Sequence, residues 1–240
     1  MTKEEIENHK TENERDFVSM INRHLPPEIV VTCWAPVSLD FSARFSCESR
    51  SYNYIFHGKG LNISKMNEAA QQLVGKHDFQ NFCTAQLERQ DTNRECFRAS
   101  VVQRGSNDMC TFEIESSGFL YHQIRLTMTL LALIGNELEE SNLISTLLNV
   151  DAHPRRPGFK PANPDGLVLI DCKFPNLNWV TKEKDEINVT KKINDRLHQT
   201  YLQLTVLEKI KSKLGYEERE EKQPVHQRIT GILQKQNKHR

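Results

Sequence analysis

Neither charge dominates this sequence. Its 240 residues carry 32 lysines and arginines against 32 aspartates and glutamates, so no global basic field marks it for nucleic acid, and any RNA surface has to be local. Long apolar runs are missing as well. The longest stretch, residues 126–134, falls well short of the ~20 residues that span a bilayer. Six cysteines are present (Cys33, Cys47, Cys83, Cys96, Cys110 and Cys172), yet no two stand at C-x-x-C spacing, which argues against a zinc site. There is no Gly-rich phosphate cradle of Walker or Rossmann type and no internal repeat. No basic, apolar, small-residue leader opens the sequence. The expectation is therefore a soluble intracellular protein, cytoplasmic or nuclear, with reduced thiols. The sequons Asn62-Ile63-Ser64 and Asn188-Val189-Thr190 read as chance matches.

What is present, at 37% hydrophobic, suits one sizeable core or a core with a smaller satellite. The first 16 or so residues are polar, with Thr2 and Glu5 placed like a capping box. A fold signal begins near Phe17, and Leu25-Pro26-Pro27 is a turn leading into a strand-like run at residues 29–34. Tyr52, Tyr54 and Phe56 recur with period two, which puts three aromatics on one face of a strand over residues 50–56. Ser64 is the expected N-cap of an amphipathic helix carrying Met66, Ala69, Ala70, Leu73 and Val74 up to Gly75. Residues 99–103 and 111–115 read as a hairpin turning at 105–108, with Phe112 and Ile114 facing in.

Residues 119–136 give the strongest helical signal, apolar on nearly all sides, and 141–150 a shorter helix. Four prolines (Pro154, Pro157, Pro161, Pro164) make 151–166 an ordered crossing, after which Leu167-Val168-Leu169-Ile170 reads as a buried strand. A late helix over 193–214 would carry Leu197, Tyr201, Leu204 and Leu207 as its apolar stripe, its lysines on the wet side. Hairpins rather than regular βαβ crossovers predict an α+β fold, an antiparallel sheet flanked by helices.

Three stretches together are more specific than any one. They are Phe41-Ser-Ala-Arg-Phe-Ser46 leading into Arg50-Ser-Tyr-Asn-Tyr54, then Gly75-Lys-His-Asp-Phe79, then Gly118-Phe-Leu-Tyr-His-Gln-Ile-Arg125. The sequence resembles the TruA-type tRNA pseudouridine synthases over about residues 25–180, closest to the eukaryotic enzymes acting at positions 38 and 39 of the anticodon arm. Ala35-Pro36-Val37 and Leu169-Ile-Asp-Cys-Lys-Phe174 look like the same subgroup. The resemblance implies tRNA as partner, no membrane, no metal, redox cofactor or nucleotide, and leaves a homodimer open. Composition and resemblance together divide the chain into a polar segment 1–16, a synthase-like body 17–180 and a charged helix and tail 181–240. The implied reaction breaks a uridine N-glycosidic bond, turns the base and rejoins it through carbon, with an aspartate as nucleophile.

Carried over by position, Tyr52 matches the tyrosine that packs on the target uridine, and Arg125 the arginine that pairs with the catalytic aspartate. A tyrosine on a strand face is more often core than catalytic, and Tyr54 is left as core or wall. Arg125 is odd on physical grounds too. A guanidinium among Leu120, Ile124, Leu126 and Met128 needs a carboxylate or phosphate partner, or else has to snorkel out. Arg44, Lys76, His77 and His122 are carried over as RNA contacts; ordinary solvated charge, or for His122 a structural hydrogen bond, is the plainer alternative.

The family's Gly-Arg-Thr-Asp turn, which holds its nucleophile, occurs nowhere in these residues, and Asp78 reads as a loop cap instead. Two readings stand open, an incomplete product of an active synthase and a shortened paralogue that binds tRNA without modifying it. An interaction module without an RNA role fits composition alone. The first reading expects Tyr52 and Arg125 to share a cleft, Arg125 to lack a carboxylate partner in its own chain, and the sheet to show an exposed edge or apolar face.

Overall fold

The structure is a computed structural model and describes residues 15–84, 91–104 and 108–214. The expected N-terminal capping box and the tip of the 105–108 turn lie outside the described residues. The chain divides into two compact units, residues 47–174 and residues 15–46 with 175–214.

Within 47–174 a five-stranded sheet is built from β1 (Ser49–His57), β2 (Gly75–Asp78), β3 (Asn93–Gln103), β4 (Met109–Ser116) and β5 (Leu167–Lys173), in the order β2-β3-β4-β1-β5. Every pair is antiparallel, and helices accompany the sheet as the sequence pattern requires. The register sets Tyr52 beside Ile114 and Tyr54 beside Phe112, with Ala99 and Val101 of β3 on their far side. That face is the core. Phe112 and Ile114 are buried, and Tyr54 is 6% exposed.

Three helices accompany this unit: α2 (Ile63–Gln71), α3 (Gln123–Gly135) and α4 (Leu143–Leu148). Met66, Leu130, Leu131, Ile134, Ile144 and Leu147 join the sheet residues in one cluster. The N-cap of α2 is Asn62 rather than the expected Ser64: its side chain accepts from the Lys65 amide at 3.1 Å, which leaves Ser64 inside the first turn. After Gln71 the chain turns through Gly75, whose φ of +118° suits only glycine, directly into β2. Nothing in Gly75-Lys-His-Asp predicts a strand; its ladder comes from pairing with β3. Asp78 does cap the following turn, accepting from Gln80 N at 2.9 Å.

The opposite face of the sheet is polar, because β-strand side chains alternate. Glu113 takes Arg98 at 3.1 Å and Arg104 at 2.6 Å, while Glu115 takes Lys173 at 2.6 Å and the Ser49 hydroxyl at 2.9 Å. Lys173, then Ser49, holds the Glu115 carboxyl below its usual range.

β5 corrects an expectation. Its continuous apolar run reads as buried, yet Val168, Leu169 and Ile170 are 40%, 48% and 55% exposed. Among the described residues the strand pairs only with β1 and ends the sheet, so the sheet shows an exposed apolar edge.

In the other unit, α1 (Phe17–Asn22) precedes residues 29–34, which are not the expected strand. Apart from a bridge between Trp34 and Val180, they are held by the Asn22 side chain, which bonds both the N–H and the carbonyl of Val31 at 2.8 Å. The last helix, α5 (Glu183–Leu214), begins ten residues earlier than the periodicity predicts. Its first turn is acidic, favoured at a helix N-terminus, and Asp185 is buried with Ser19 as hydrogen-bond donor at 3.0 Å. The expected stripe, Leu197, Tyr201, Leu204 and Leu207, is exposed rather than packed. No helix among the described residues is long and apolar enough to cross a membrane.

Asp16 caps α1 through the Ser19 amide and pairs with Lys184. Lys184 first, then Ser19, lowers its carboxyl from 3.8 to about 2. A depressed carboxyl stabilises the fold above the unfolded value and loses that contribution as pH falls through the folded one. Amide protection in α1 is therefore expected to be full above about pH 4 and to fail toward pH 2, as hydrogen exchange would show. Asp16→Asn should flatten that pH dependence; a wild-type profile already flat from pH 5 to 2 would contradict it.

Candidate active site

Tyr52 sits where β1 breaks register with β5, between Ser51 and Tyr52. Its ring meets Phe119 edge to face, centroids 5.2 Å apart. Partial burial raises its hydroxyl pKa, the Cys172 thiol adding to the effect, so the phenol is neutral at ordinary pH. Tyr54, two residues on, belongs to the core, and its hydroxyl donates to the Asn163 carbonyl at 2.7 Å.

Residues 119–120 are irregular and 121–122 a turn, not the first turn of the expected helix. His122 is left-handed, with φ of 63°, and α3 begins only at Gln123. The turn is tied down at several points. Leu120 N donates to the Gln123 side chain at 2.7 Å, Thr84 N to the Tyr121 carbonyl at 3.3 Å, and the Thr84 hydroxyl bonds His122 Nδ1 at 2.9 Å. His122 also stacks on Tyr121 at 3.9 Å. Desolvation, then the charge of Arg125, lowers the His122 pKa. The imidazole is thus bonded locally within this segment.

Arg125 stands in the first turn of α3, half-buried. Its Nε donates to the Ala162 carbonyl at 2.6 Å, and Ala162 N donates back to the Arg125 carbonyl at 3.1 Å. Thr129 reaches the Lys160 carbonyl at 2.9 Å. The proline-rich crossing is thus a strap laced to α3 and, through Tyr54, to β1. No carboxylate among the described residues forms an ion pair with Arg125. The guanidinium is oriented through Nε, which donates to the Ala162 carbonyl.

Tyr52, Phe119, His122 and Arg125 therefore gather on and around residues 118–125. Lys76 and His77 do not join them. They lie on β2, three strand spacings or about 14 Å from β1, where Lys76 approaches Glu95 at 3.7 Å and His77 bonds the Val74 carbonyl at 3.0 Å. Arg44 belongs to the other unit, its guanidinium 5.4 Å from the Phe45 ring centroid. Sequence reasoning missed Phe119 as the Tyr52 partner and the strap as the Arg125 support; the four prolines marked an ordered crossing without showing what it binds.

A profile of the family described as tRNA pseudouridine synthase matches residues 69–175. The tRNA pseudouridine(38/39) synthase of Bos taurus is 42% identical over 187 residues, which cover 72% of this chain and 39% of that protein. That of Saccharomyces cerevisiae is 38% identical over 179 residues, 73% of this chain and 40% of its own length. The tRNA pseudouridine synthase A of Archaeoglobus fulgidus is 33% identical over 190 residues, 78% of this chain and 70% of its own. The chain belongs to the tRNA pseudouridine synthase family, of TruA type. It spans about two fifths of the length of the (38/39) relatives it matches.

Gly166 closes the strap against β1. A Cβ there would stand 2.3 Å from the Ile55 carbonyl oxygen and 3.0 Å from the Tyr54 ring. Gly166→Ala should cost about 1–3 kcal/mol in urea unfolding, since backbone has to move to admit the methyl. A loss under about 0.5 kcal/mol, ordinary for a surface change, would show that the strap is not held as tightly as its bonds suggest.

Proposed function

We propose that this chain forms part of the catalytic body of a tRNA pseudouridine synthase of the 38/39 class, converting uridine to pseudouridine in the anticodon arm. The observation that supports this most is Arg125, a half-buried guanidinium oriented by the strap, without a carboxylate of its own among the described residues, on the segment whose Phe119 holds Tyr52. In this reading Arg125 pairs with the nucleophilic aspartate and keeps it ionised, while Tyr52 packs on the target base. The carboxylate bonds the sugar C1′ as the N-glycosidic bond breaks; the base turns, its C5 bonds C1′ as the carboxylate leaves, and the proton lost from C5 is balanced by one taken up at N1. A base in a stem or loop first has to leave its stack, at a cost of roughly a few kcal/mol that aromatic and cationic contacts offset. His122, Lys76, His77 and Arg44 are proposed as RNA contacts beyond the reacting base.

The aspartate would come from outside this sequence, which has no Gly-Arg-Thr-Asp turn. The same lack leaves open a second reading, a relative that binds tRNA without modifying it. We also propose a cytoplasmic or nuclear location. A homodimer is proposed for its assembly, supported by the uncovered stripe of α5 and testable by light scattering.

The chain by itself is expected to bind a tRNA transcript with affinity that falls as salt rises, and to form no pseudouridine. Joined to the aspartate-bearing half of a related synthase it should gain turnover. Tyr52→Ala or Arg125→Ala in that fusion should then lower the rate about a hundredfold or more. Turnover by the chain alone would sink the proposed division of labour; a fusion that binds but never turns over would favour the second reading.

A further inference from the structure

The strap over residues 153–163 turns its carbonyls inward. Those of His153 and Pro154 accept from the Asn81 and Gln80 side chains, each at 2.7 Å, those of Lys160 and Ala162 from Thr129 at 2.9 Å and Arg125 at 2.6 Å, and that of Asn163 from the Tyr54 hydroxyl at 2.7 Å. Its acceptors are thus engaged by the body. Pro154, Pro157 and Pro161 offer no N–H and fix φ, so the outward side is left to side chains on a stiff backbone.

Those side chains are basic. Residues 153–160 hold Arg155, Arg156 and Lys160 and no aspartate or glutamate, in a chain whose charges balance overall. Arg156 is engaged inside the strap, donating to the Phe159 carbonyl at 3.0 Å with its guanidinium 5.4 Å from that ring's centroid. Arg155 and Lys160 are exposed, and neither forms an ion pair among the described residues. Lys160 is two residues from Ala162, hence within ~7 Å along the chain of the carbonyl that orients Arg125. The cations therefore follow on from the candidate site.

The surroundings of these cations decide what suits them. No large apolar side chain is exposed from residue 123 to residue 167, whereas protein interfaces are anchored by aromatic and apolar groups at their core. A phosphodiester backbone needs no such anchor; it takes spaced cations held on an ordered base. Phosphates flank every nucleotide, so a strand with its base at Tyr52 carries them past the neighbourhood of Arg125.

We propose that Arg155 and Lys160 form a rest for the tRNA phosphate backbone next to the target nucleotide. The inference rests on the tRNA reading above and gives it a surface outside the residues carried over by resemblance. The rest positions the strand and reads no sequence. Because the strap is already braced, little conformational entropy is lost when the strand settles on it.

The test measures binding of the full chain to a tRNA transcript over a salt series, with phosphate-ethylation interference on the same RNA. Arg155→Ala combined with Lys160→Ala should make the slope of log affinity against log salt shallower by about 1.5, two contacts at roughly 0.7–0.9 each. Ethylation of one or two phosphates in the anticodon arm should block the wild-type chain and cease to matter for the double variant. Arg155→Lys combined with Lys160→Arg keeps both charges and should restore the slope, which separates lost charge from a loosened strap. Equal slopes and an equal interference pattern in wild type and the alanine variant overturn the phosphate rest while leaving the tRNA reading intact. A wild-type chain that binds no tRNA overturns both; binding of a poly-glutamate peptide that the alanine variant loses would then make the strap a surface for an acidic protein.

Discussion

The pairing of β1 with β4 is the constraint on which the synthase-like unit depends. It matches Tyr52 with Ile114 and Tyr54 with Phe112, and a slip of β1 by one residue would turn both tyrosines to the polar face, beside Glu113 and Glu115. With the register fixed, one edge of β1 is free to receive β5, and the break in that second ladder falls between Ser51 and Tyr52. The tyrosine proposed to hold the target base thus stands at an irregularity the sheet itself creates. Such breaks re-aim side chains and recur beside functional sites.

The charges sort themselves by the same alternation. On the polar face each buried or half-buried carboxylate already has its cations, Arg98 and Arg104 for Glu113 and Lys173 for Glu115. Arg125 has a carbonyl and no carboxylate among the described residues. A balanced overall composition therefore conceals an unbalanced site. Taking a guanidinium partly out of water without an anion is costly, and that cost is recovered when a carboxylate or phosphate arrives.

Much of the fold was legible because apolar spacing and strand period coincide with real burial. Tyr52, Tyr54 and Phe56 at period two, Phe112 and Ile114 facing in, and the apolar helix around residues 123–135 are direct consequences of sequence. The misses have a common cause. Residues 29–34 have strand composition but find their hydrogen bonds in the Asn22 side chain, and Gly75-Lys-His-Asp has no strand composition but is recruited by β3. Tertiary pairing decides short extended segments, and local composition cannot see the partner. Burial of β5 was misjudged likewise, since a continuous apolar run fits a buried strand and an edge strand alike, and only the pairing places it at the sheet edge.

The site was legible in its two principal residues and opaque in their supports. Tyr52 and Arg125 stand in recognisable stretches, but what fixes them comes from residues without a signature of their own: a backbone carbonyl at Ala162, a ring at Phe119, a left-handed His122 anchored on Thr84. A backbone acceptor can be any residue, so composition carries no trace of it. The reciprocal bonds between Arg125 and Ala162 join guanidinium orientation to helix backbone, so that the side chain cannot rotate away without loosening the strap, and the strap cannot lift without releasing Tyr54. Orientation of the cation is thereby tied to the integrity of the sheet's core, so a guanidinium held by a backbone carbonyl stays ordered through the strap.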